Sequence, residues 1–438
     1  MIINIAIKKI NQIRKKYLTT DTREKLFGNF LSLSILQIAN YILPLITLPY
    51  LVRILGPEKF GLVTFSQAFI SYFIILTDYG FNLSATREIS INRGNKVKVI
   101  EIFNSVMIIK LFLIVISFVI MTIIVSQFQK FKQDWLIYYL TFGMVLGQVL
   151  FPVWFFQGIE RMNYITKLNI IAKLIFTVSI FMFIKKPEDY IILPIINSFG
   201  SIIAGLLGIR IVFKKFRMKI EKVKLENIKF HLKEGGYIFF SSVATSFYTL
   251  GNIFILGLFT NNIIVGYYAG AEKIIRAIQG LLGPISQTVY PHISKLMNDS
   301  KEDGIKFIKK LFVYFGGFSF SLSFFVFIFN DLLVKVLLGK QYSESVIVLR
   351  ILAFIPFIVG LSNILGIQTM LTLNYQKAFI KIILFASLIN LILSLILVQS
   401  FKHIGISISV LVTEISVTLL MMIYLYKKGI KIIGVYYV

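Results

Sequence analysis

The sequence contains no cysteine among its 438 residues, which excludes disulfide bonds and thiol chemistry. Histidine is nearly as scarce: His231, His292 and His403 lie far apart and form no H-E-x-x-H motif, so no metal site is predicted. Neither a G-x4-G-K-[ST] phosphate-binding loop nor a G-x-S-x-G motif occurs. These absences argue against an enzyme and against ATP hydrolysis by a P-loop, and they favour transport. No cofactor is expected.

Long apolar stretches are abundant. Hydrophobic residues make up 57% of the chain and the mean hydropathy is +0.82, well above a globular domain. A helix needs about 20 apolar residues to cross a bilayer. We predict an all-α polytopic membrane protein with twelve transmembrane helices, placed at residues 29–52, 60–84, 99–127, 135–157, 164–184, 190–212, 235–259, 263–292, 307–338, 345–372, 378–399 and 404–426.

The loops between these helices carry lysine and arginine unequally. With the N-terminus inside, 32 of the 46 basic residues fall in inner segments, 10 in outer loops and four inside predicted helices. The positive-inside rule therefore places both termini in the cytoplasm. The net charge of +26 is explained by these loops, which meet anionic membrane lipids, so no nucleic-acid partner is predicted.

The longest inner connection divides the chain. We predict a cytoplasmic N-terminal segment at 1–26, a first lobe of six helices at 27–213, a basic cytoplasmic linker at 214–233 and a second lobe of six helices at 234–438. Six is an even number, so both lobes enter the membrane in the same orientation. An axis along the membrane normal should relate them, as in parallel-repeat transporters.

Sequence matches between the two lobes support a duplication. The spacing Gln-x5-Asn-Tyr begins at Gln157 before helix five and at Gln368 before helix eleven, 211 residues later. Gly61 opens helix two and Gly266 opens helix eight, 205 residues later. Similar offsets at matching positions indicate a repeat.

Two small-residue motifs predict close helix packing within the first lobe. Helix four contains Gly143 and Gly147 in a GxxxG motif, and helix six contains Ser201 and Gly205 at the same spacing. Such motifs let helix backbones approach closely in membranes.

The densest group of charges within a predicted span is in helix eight. Glu272, Lys273 and Arg276 are three or four residues apart, so they share one helical face. Charges deep in a bilayer cost roughly 2.5–3.5 kcal/mol each and usually face a cavity or one another. Glu272 can neutralise Arg276, which leaves Lys273 unbalanced. The cluster is either an ion pair that ties helices together or a cationic cavity wall for an anionic ligand such as a phosphate.

Other charges fall on otherwise apolar helices. Lys110 in helix three and Lys173 in helix five either extend towards the membrane interface, pair with an acid of a neighbouring helix or bind substrate. Asp78 in helix two and Glu414 in helix twelve are candidate sites for coupling to a proton or sodium gradient.

Three residues lie where helix bending or gating is expected. Arg53 is at the outer end of helix one and Arg87 at the inner end of helix two, although interfacial anchoring is the commoner role of such residues. Pro284 lies within helix eight, where a proline kink fits a helix that bends to open a gate.

Several stretches together resemble one family. LPYLVRILGPEKFGLVTFSQAF and TDYGFNLSATREIS resemble the first two helices of bacterial O-antigen and capsule repeat-unit flippases. PVWFFQGIERMNYIT resembles the connection between their fourth and fifth helices, and VGYYAGAEKI resembles the start of their eighth. These are the polysaccharide transporters of the multidrug/oligosaccharidyl-lipid/polysaccharide exporter superfamily, and the resemblance covers essentially the whole chain.

The resemblance implies alternating access in the bacterial plasma membrane. The cargo would be an undecaprenyl-diphosphate-linked oligosaccharide, moved from the cytoplasmic to the outer leaflet for O-antigen, capsule or exopolysaccharide synthesis. A V-shaped central cavity would be lined largely by helices one, two, seven and eight. That adds weight to Arg53, Asp78 and the helix-eight cluster over Lys110 and Lys173. Polysaccharide polymerase machinery is an implied partner.

Three alternatives remain open at this point. The lipid II flippase usually has fourteen spans. Cation-coupled multidrug extruders have twelve spans but favour an acidic cavity. A polymerase or ligase of the same pathway typically carries a large periplasmic loop, and the outer loops here are short.

Overall fold

The structure, a computed structural model, describes residues 21–432, apart from the side chains of residues 21–27, 29–35, 38, 41–42, 241, 244–245 and 247–249. The predicted N-terminal segment thus lies largely outside the described residues, as do residues 433–438.

Within residues 21–432 the chain is helical, without a β-strand. The helices of its first half are α1 (Asp21–Asp78), α2 (Phe81–Ile91), α3 (Lys96–Gln127), α4 (Gln129–Lys132), α5 (Trp135–Leu150), α6 (Val153–Gly158), α7 (Met162–Phe183) and α8 (Ile192–Lys215).

The second half follows a short coil that joins α8 to α9. Its helices are α9 (Leu225–Thr249), α10 (Gly251–Phe259), α11 (Asn262–Asp299), α12 (Lys301–Ile328), α13 (Asn330–Leu337), α14 (Ser345–Leu352), α15 (Ile355–Asn363) and α16 (Gln376–Lys427), and a π-helix (Ile364–Leu371) follows α15.

Eight of the described stretches are long and apolar enough to cross a membrane. They overlap ten of the twelve predicted spans, because Leu43–Ile91 and Gln376–Lys427 overlap two each. The predicted spans at 235–259 and 263–292 are not among the eight. The protein is a multi-pass helical membrane protein, and the count of twelve spans stays a prediction. The eight stretches are Leu43–Ile91, Lys96–Gln127, Trp135–Gly158, Met162–Phe183, Pro187–Lys215, Lys301–Ile328, Ser345–Leu371 and Gln376–Lys427.

The two longest helices each contain a kink that coincides with a predicted loop. In α1, Gly56 has φ 66°, which glycine adopts without a steric penalty, and Pro57 then starts the next helical segment. In α16, Lys402 has φ 49° and Gly405 packs against the carbonyl of Leu397. Each kink separates two helical segments that the sequence assigns to different spans.

Close packing in the first half follows the small-residue motifs. A Cβ atom added to Gly147 of α5 would lie 2.4 Å from the backbone of Ser201 in α8, and one added to Gly205 would lie 2.7 Å from the carbonyl of Gly147. The GxxxG motif and the Ser201/Gly205 pair therefore pack against each other. This confirms the predicted helix contact.

The two glycines that open predicted helices two and eight meet in the structure. A Cβ atom on Gly61 would lie 1.8 Å from the carbonyl oxygen of Asn262, and one on Gly266 would lie 2.0 Å from that of Pro57. Both glycines and both carbonyls are 205 residues apart in the sequence. The contact is thus locally symmetric, as expected at a boundary between duplicated halves.

The other sequence match between the halves, Gln-x5-Asn-Tyr, does not fall on equivalent positions of the backbone. Glu160 and Asn374 both have positive φ, 57° and 63°. The residue after each, Arg161 or Tyr375, donates its backbone N–H to the carbonyl five residues back, at 2.8 Å in both cases. These turns are 214 residues apart, whereas the Gln-x5-Asn-Tyr match has an offset of 211. The turns are alike, but the matched glutamines do not occupy equivalent positions.

Candidate functional site

A cavity of about 500 Å³ with both apolar and polar lining residues lies between α1, α5, α7, α8 and α11. Its size is within the ~300–1,000 Å³ typical of ligand pockets. Apolar side chains line part of it, including Phe60, Phe151 and Phe176. Uncharged polar side chains line the rest: Asn40, Thr47, Thr64, Gln67, Gln148, Asn169, Thr177, Asn197 and Ser201.

Three cationic side chains complete this cavity. Lys173 comes from α7, and Lys273 and Arg276 come from α11. The lining residues that the structure describes include no carboxylate. Because field lines are concentrated in a cleft with low-dielectric walls, this arrangement attracts an anion and disfavours a cation.

The geometry of α11 explains how its cations reach the cavity. Lys273, Arg276 and Ala277 share a face because they are three and four residues apart. The Lys273 ammonium lies 4.8 Å from the centroid of the Phe60 ring, a cation–π distance. Arg276 Nη2 donates to Glu272 Oε1 at 2.8 Å.

Glu272 lies behind the cavity wall. It is not among the described lining residues, and its side chain is 12% exposed against 49% for Arg276. Glu272 therefore offsets part of the positive charge of α11 without presenting a carboxylate to the cavity. The Glu272–Arg276 ion pair lies within α11 itself, while Lys273 and Arg276 line the cavity, so the arrangement favours the cavity-wall interpretation of the helix-eight cluster.

Lys110 and Lys173, which the sequence could not separate, have different environments. Lys110 is 1% exposed and its Nζ lies 3.9 Å from Oδ1 of the half-buried Asp78, so the two form a largely buried ion pair between α3 and α1. Neither residue lines the cavity. Lys173 is half-buried and lies at the cavity with Lys273 and Arg276.

Arg53 is placed at the end of the first segment of α1, away from the cavity lining. It is exposed, and its guanidinium donates to the carbonyl of Val336 in α13. Gln341 Nε2 in turn donates to the Arg53 carbonyl at 3.5 Å. Arg53 therefore connects the two halves at the predicted outer end.

The remaining candidates are also outside the described lining of the cavity. Arg87 is exposed on α2, and Pro284 is half-buried within α11. Glu414 is half-buried in α16, where its backbone carbonyl accepts a hydrogen bond from Thr418. The structure does not bring these residues together with the three cavity cations.

The side-chain amides of the cavity are the residues that sequence reasoning missed. Asn40, Gln67, Gln148, Asn169 and Asn197 belong to no motif, and neutral polar residues occur in many transmembrane helices. Their spacing offered one weak signal: Asn169 and Lys173 are four residues apart and therefore share a face of α7.

The two halves contact each other at both ends of the molecule. At the predicted outer end, the Gly61–Gly266 contact is joined by Phe65 and Phe254, whose rings stack 5.9 Å apart. Lys130 also donates to the carbonyl of Thr260 there.

At the predicted cytoplasmic end, the rings of Tyr79 and Phe239 stack 5.0 Å apart. A Cβ atom added to Gly235 would lie 2.7 Å from the Tyr79 carbonyl. Among the described residues, therefore, both ends of the interface between the halves are in contact.

A multi-pass helical bundle that encloses a cavity with polar and cationic side chains is typical of a membrane transporter. The chain matches the polysaccharide biosynthesis protein family over residues 26–297, and it belongs to that family.

Its relatives have matching lengths. It is 37% identical over 396 residues to a protein of Escherichia coli (strain K12) named an O-antigen transporter, covering 90% of this chain and 95% of that one. It is 30% identical to a Shigella dysenteriae protein of the same name, covering 90% and 98%. Among solved structures, the lipid II flippase MurJ in an inward closed conformation matches with TM-score 0.67 at 14% identity, over 93% of this chain and 90% of that one. That similarity shows a shared fold.

Proposed function

We propose that this protein is a flippase for an anionic lipid-linked oligosaccharide. The cargo is an undecaprenyl-diphosphate-linked repeat unit, moved from the cytoplasmic to the outer leaflet for O-antigen, capsule or exopolysaccharide synthesis. The observation that carries the proposal is the cavity wall formed by Lys173, Lys273 and Arg276, which has no carboxylate among its described residues. Family membership and the names of the two bacterial relatives support the same class of cargo.

This cavity suits the physical problem of moving such a lipid across a membrane. A sugar head with two phosphates cannot enter hydrocarbon, because desolvating its charged and polar groups is too costly. The polyprenyl tail can stay in lipid. A membrane-embedded cavity with cations for the diphosphate and polar groups for the sugars replaces the water that the head loses.

Alternating access between two six-helix lobes is the proposed mechanism. The helices before residue 216 form one lobe and those after residue 224 form the other. In this mechanism the contacts at the two ends open in turn, Tyr79–Phe239 towards the cytoplasm and Gly61–Gly266 towards the outside.

The energy source would be a proton or sodium gradient, since the sequence lacks a P-loop. Asp78 and Glu414 are the candidate coupling residues. Consumption of the flipped lipid by polysaccharide polymerase machinery on the outer face could drive net transport in place of a gradient.

Export in a strain that lacks the protein tests the cationic site. Lys173→Ala, Lys273→Ala and Arg276→Ala should each reduce polysaccharide export at normal membrane abundance, measured by immunoblot. Lys335→Ala is the matched control, because Lys335 is an exposed lysine that pairs with Asp331 away from the cavity. Full export by all three cavity variants would contradict the proposed site.

Ligand-dependent stabilisation separates the flippase from a cation-exporting relative. A ligand that binds only the folded protein raises the apparent Tm by mass action. Undecaprenyl diphosphate-sugar should raise the Tm and ethidium should not. A shift with ethidium and none with the lipid would place the chain among multidrug extruders.

A further inference from the structure

The cavity is chemically asymmetric between the two halves. Its amide side chains all come from α1, α5, α7 and α8 of the first half. The second half contributes only Lys273, Arg276 and Ala277 to the described lining. A site built for a phosphate alone would need the cations but not the amides.

These amides have hydrogen-bonding capacity that the protein leaves unused. Ser71 and Ser201 donate to the backbone carbonyls of Gln67 and Asn197. In the described part of the chain, the side-chain amides of these two residues and of Gln148 make no hydrogen bond. The buried hydroxyl oxygen of Thr177 also has no partner there. Because polar groups inside a membrane protein are normally satisfied, these side chains are suited to bind a ligand rich in donors and acceptors.

We infer that this amide face is a saccharide-recognition subsite, and that the first half selects which repeat unit is carried. The inference rests on the proposed flippase function. Sugar hydroxyl and acetamido groups both donate and accept, as amides do, and Phe176 offers an apolar surface for the C–H face of a sugar ring.

The arrangement on α7 places polar groups beside a cation. Asn169, Lys173 and Thr177 follow one another at four-residue spacing, so a cation lies between two polar groups on one face. A diphosphate held by Lys173 would leave the first sugar within reach of one of these two groups: Thr177, or Asn169, whose side-chain nitrogen also donates to the Ile165 carbonyl. The subsite would therefore recognise the sugars nearest the phosphate most strongly.

Isosteric replacement of the amides tests the inference. Gln148→Met and Asn197→Leu keep side-chain volume but remove hydrogen bonding. With purified full-length protein, titration of undecaprenyl diphosphate-oligosaccharide followed by Tm should show about tenfold weaker binding for each variant, the effect of losing a buried hydrogen bond. Binding of undecaprenyl diphosphate without sugar should stay unchanged. The matched control is Gln399→Met, at an exposed amide far along the chain in α16.

The possible outcomes distinguish this inference from the function on which it rests. If both amide variants bind the two lipids as the wild type does, the subsite is wrong while the flippase proposal stands. If the wild type binds neither lipid, the proposed function fails first. The conservative Gln148→Asn and Asn197→Gln variants should keep a preference for the sugar-bearing lipid. If every amide variant instead lost both this preference and its membrane abundance, the amides would be needed for folding, and the inference would be overturned.

Discussion

At the residue scale, Lys110 and Lys173 show what a single sequence can and cannot predict. Both are isolated cations in apolar helices, and the cost of burying charge predicts that each has a partner, a cavity or access to the membrane interface. Which of these applies depends on helix packing. Asp78 lies 32 residues before Lys110, and only the contact between α1 and α3 brings them together.

Removing one member of this ion pair should destabilise the protein more than removing both. Lys110→Met or Asp78→Asn alone leaves a buried charge or a buried polar group without its partner, which typically costs about 3–5 kcal/mol in a buried pair. The double variant should recover part of the loss. Tm in detergent and membrane abundance measure the effect. A double variant no more stable than the less stable single variant would indicate that the two residues do not form a stabilising pair.

His231 should make stability depend on pH. It is 3% exposed at the start of α9, and burial lowers its pKa from the ordinary value, a shift to which Lys98 adds while Glu101 and Glu234 oppose it. Below about pH 6.5 the unfolded chain therefore binds a proton more readily than the folded protein. Stability should fall as the pH drops through that region.

The test is the Tm of wild type and His231→Gln between pH 7.5 and pH 5.5. The variant should lose less Tm over this range, because its side chain does not titrate. His292→Gln changes an exposed histidine and serves for comparison. Equal slopes for wild type and His231→Gln would show that burial of this imidazole is not linked to stability.

At the element scale, helix positions and the kink at Gly56 followed from the sequence, while the π-helix did not. The kink at Gly56 coincides with a predicted loop, because a Gly-Pro pair interrupts an apolar run. The π-helix Ile364–Leu371 had no such signal. Within it, the Thr369 hydroxyl donates to the carbonyl of Ile364, five residues back. This spacing depends on the local backbone geometry and its packing, which hydropathy does not report.

The contact between Gly61 and Gly266 should tolerate no side chain. Gly61→Ala and Gly266→Ala each place a Cβ atom within 2.0 Å of a backbone oxygen, so the helices must separate. Export should fall and Tm should drop. Gly317→Ala is the control, since it lies in α12 with open space around it. There the substitution should be neutral or slightly stabilising, because alanine favours helix more than glycine does. Normal export and Tm in both contact variants would contradict a closed contact.

At the scale of the whole molecule, composition and family resemblance predicted a multi-pass membrane transporter, while the lining of the cavity depends on how the helices pack. The resemblance implied a lining from helices one, two, seven and eight. The described lining comes from predicted helices one, two, four, five, six and eight, and so lies mainly inside the first half. Several side chains of α9 are outside the description. Small residues such as Gly147, Gly200 and Ser201 leave this space, and that volume depends on how α5, α7 and α8 pack together.

Cross-links at the two ends test whether the halves move against each other. The chain has no native cysteine, so introduced pairs are the only thiols. Tyr79→Cys with Phe239→Cys, and Phe65→Cys with Phe254→Cys, replace ring pairs that stack 5.0 Å and 5.9 Å apart at opposite ends. Alternating access requires each contact to open once per cycle. A short reducible thiol cross-linker at either pair should therefore stop flipping of a fluorescent lipid-linked sugar in proteoliposomes, and reduction should restore it.

Single-cysteine variants treated identically control for modification alone. Flipping that continues with either pair fully cross-linked would exclude rocking of the two halves, because cargo would then cross while one end stays closed.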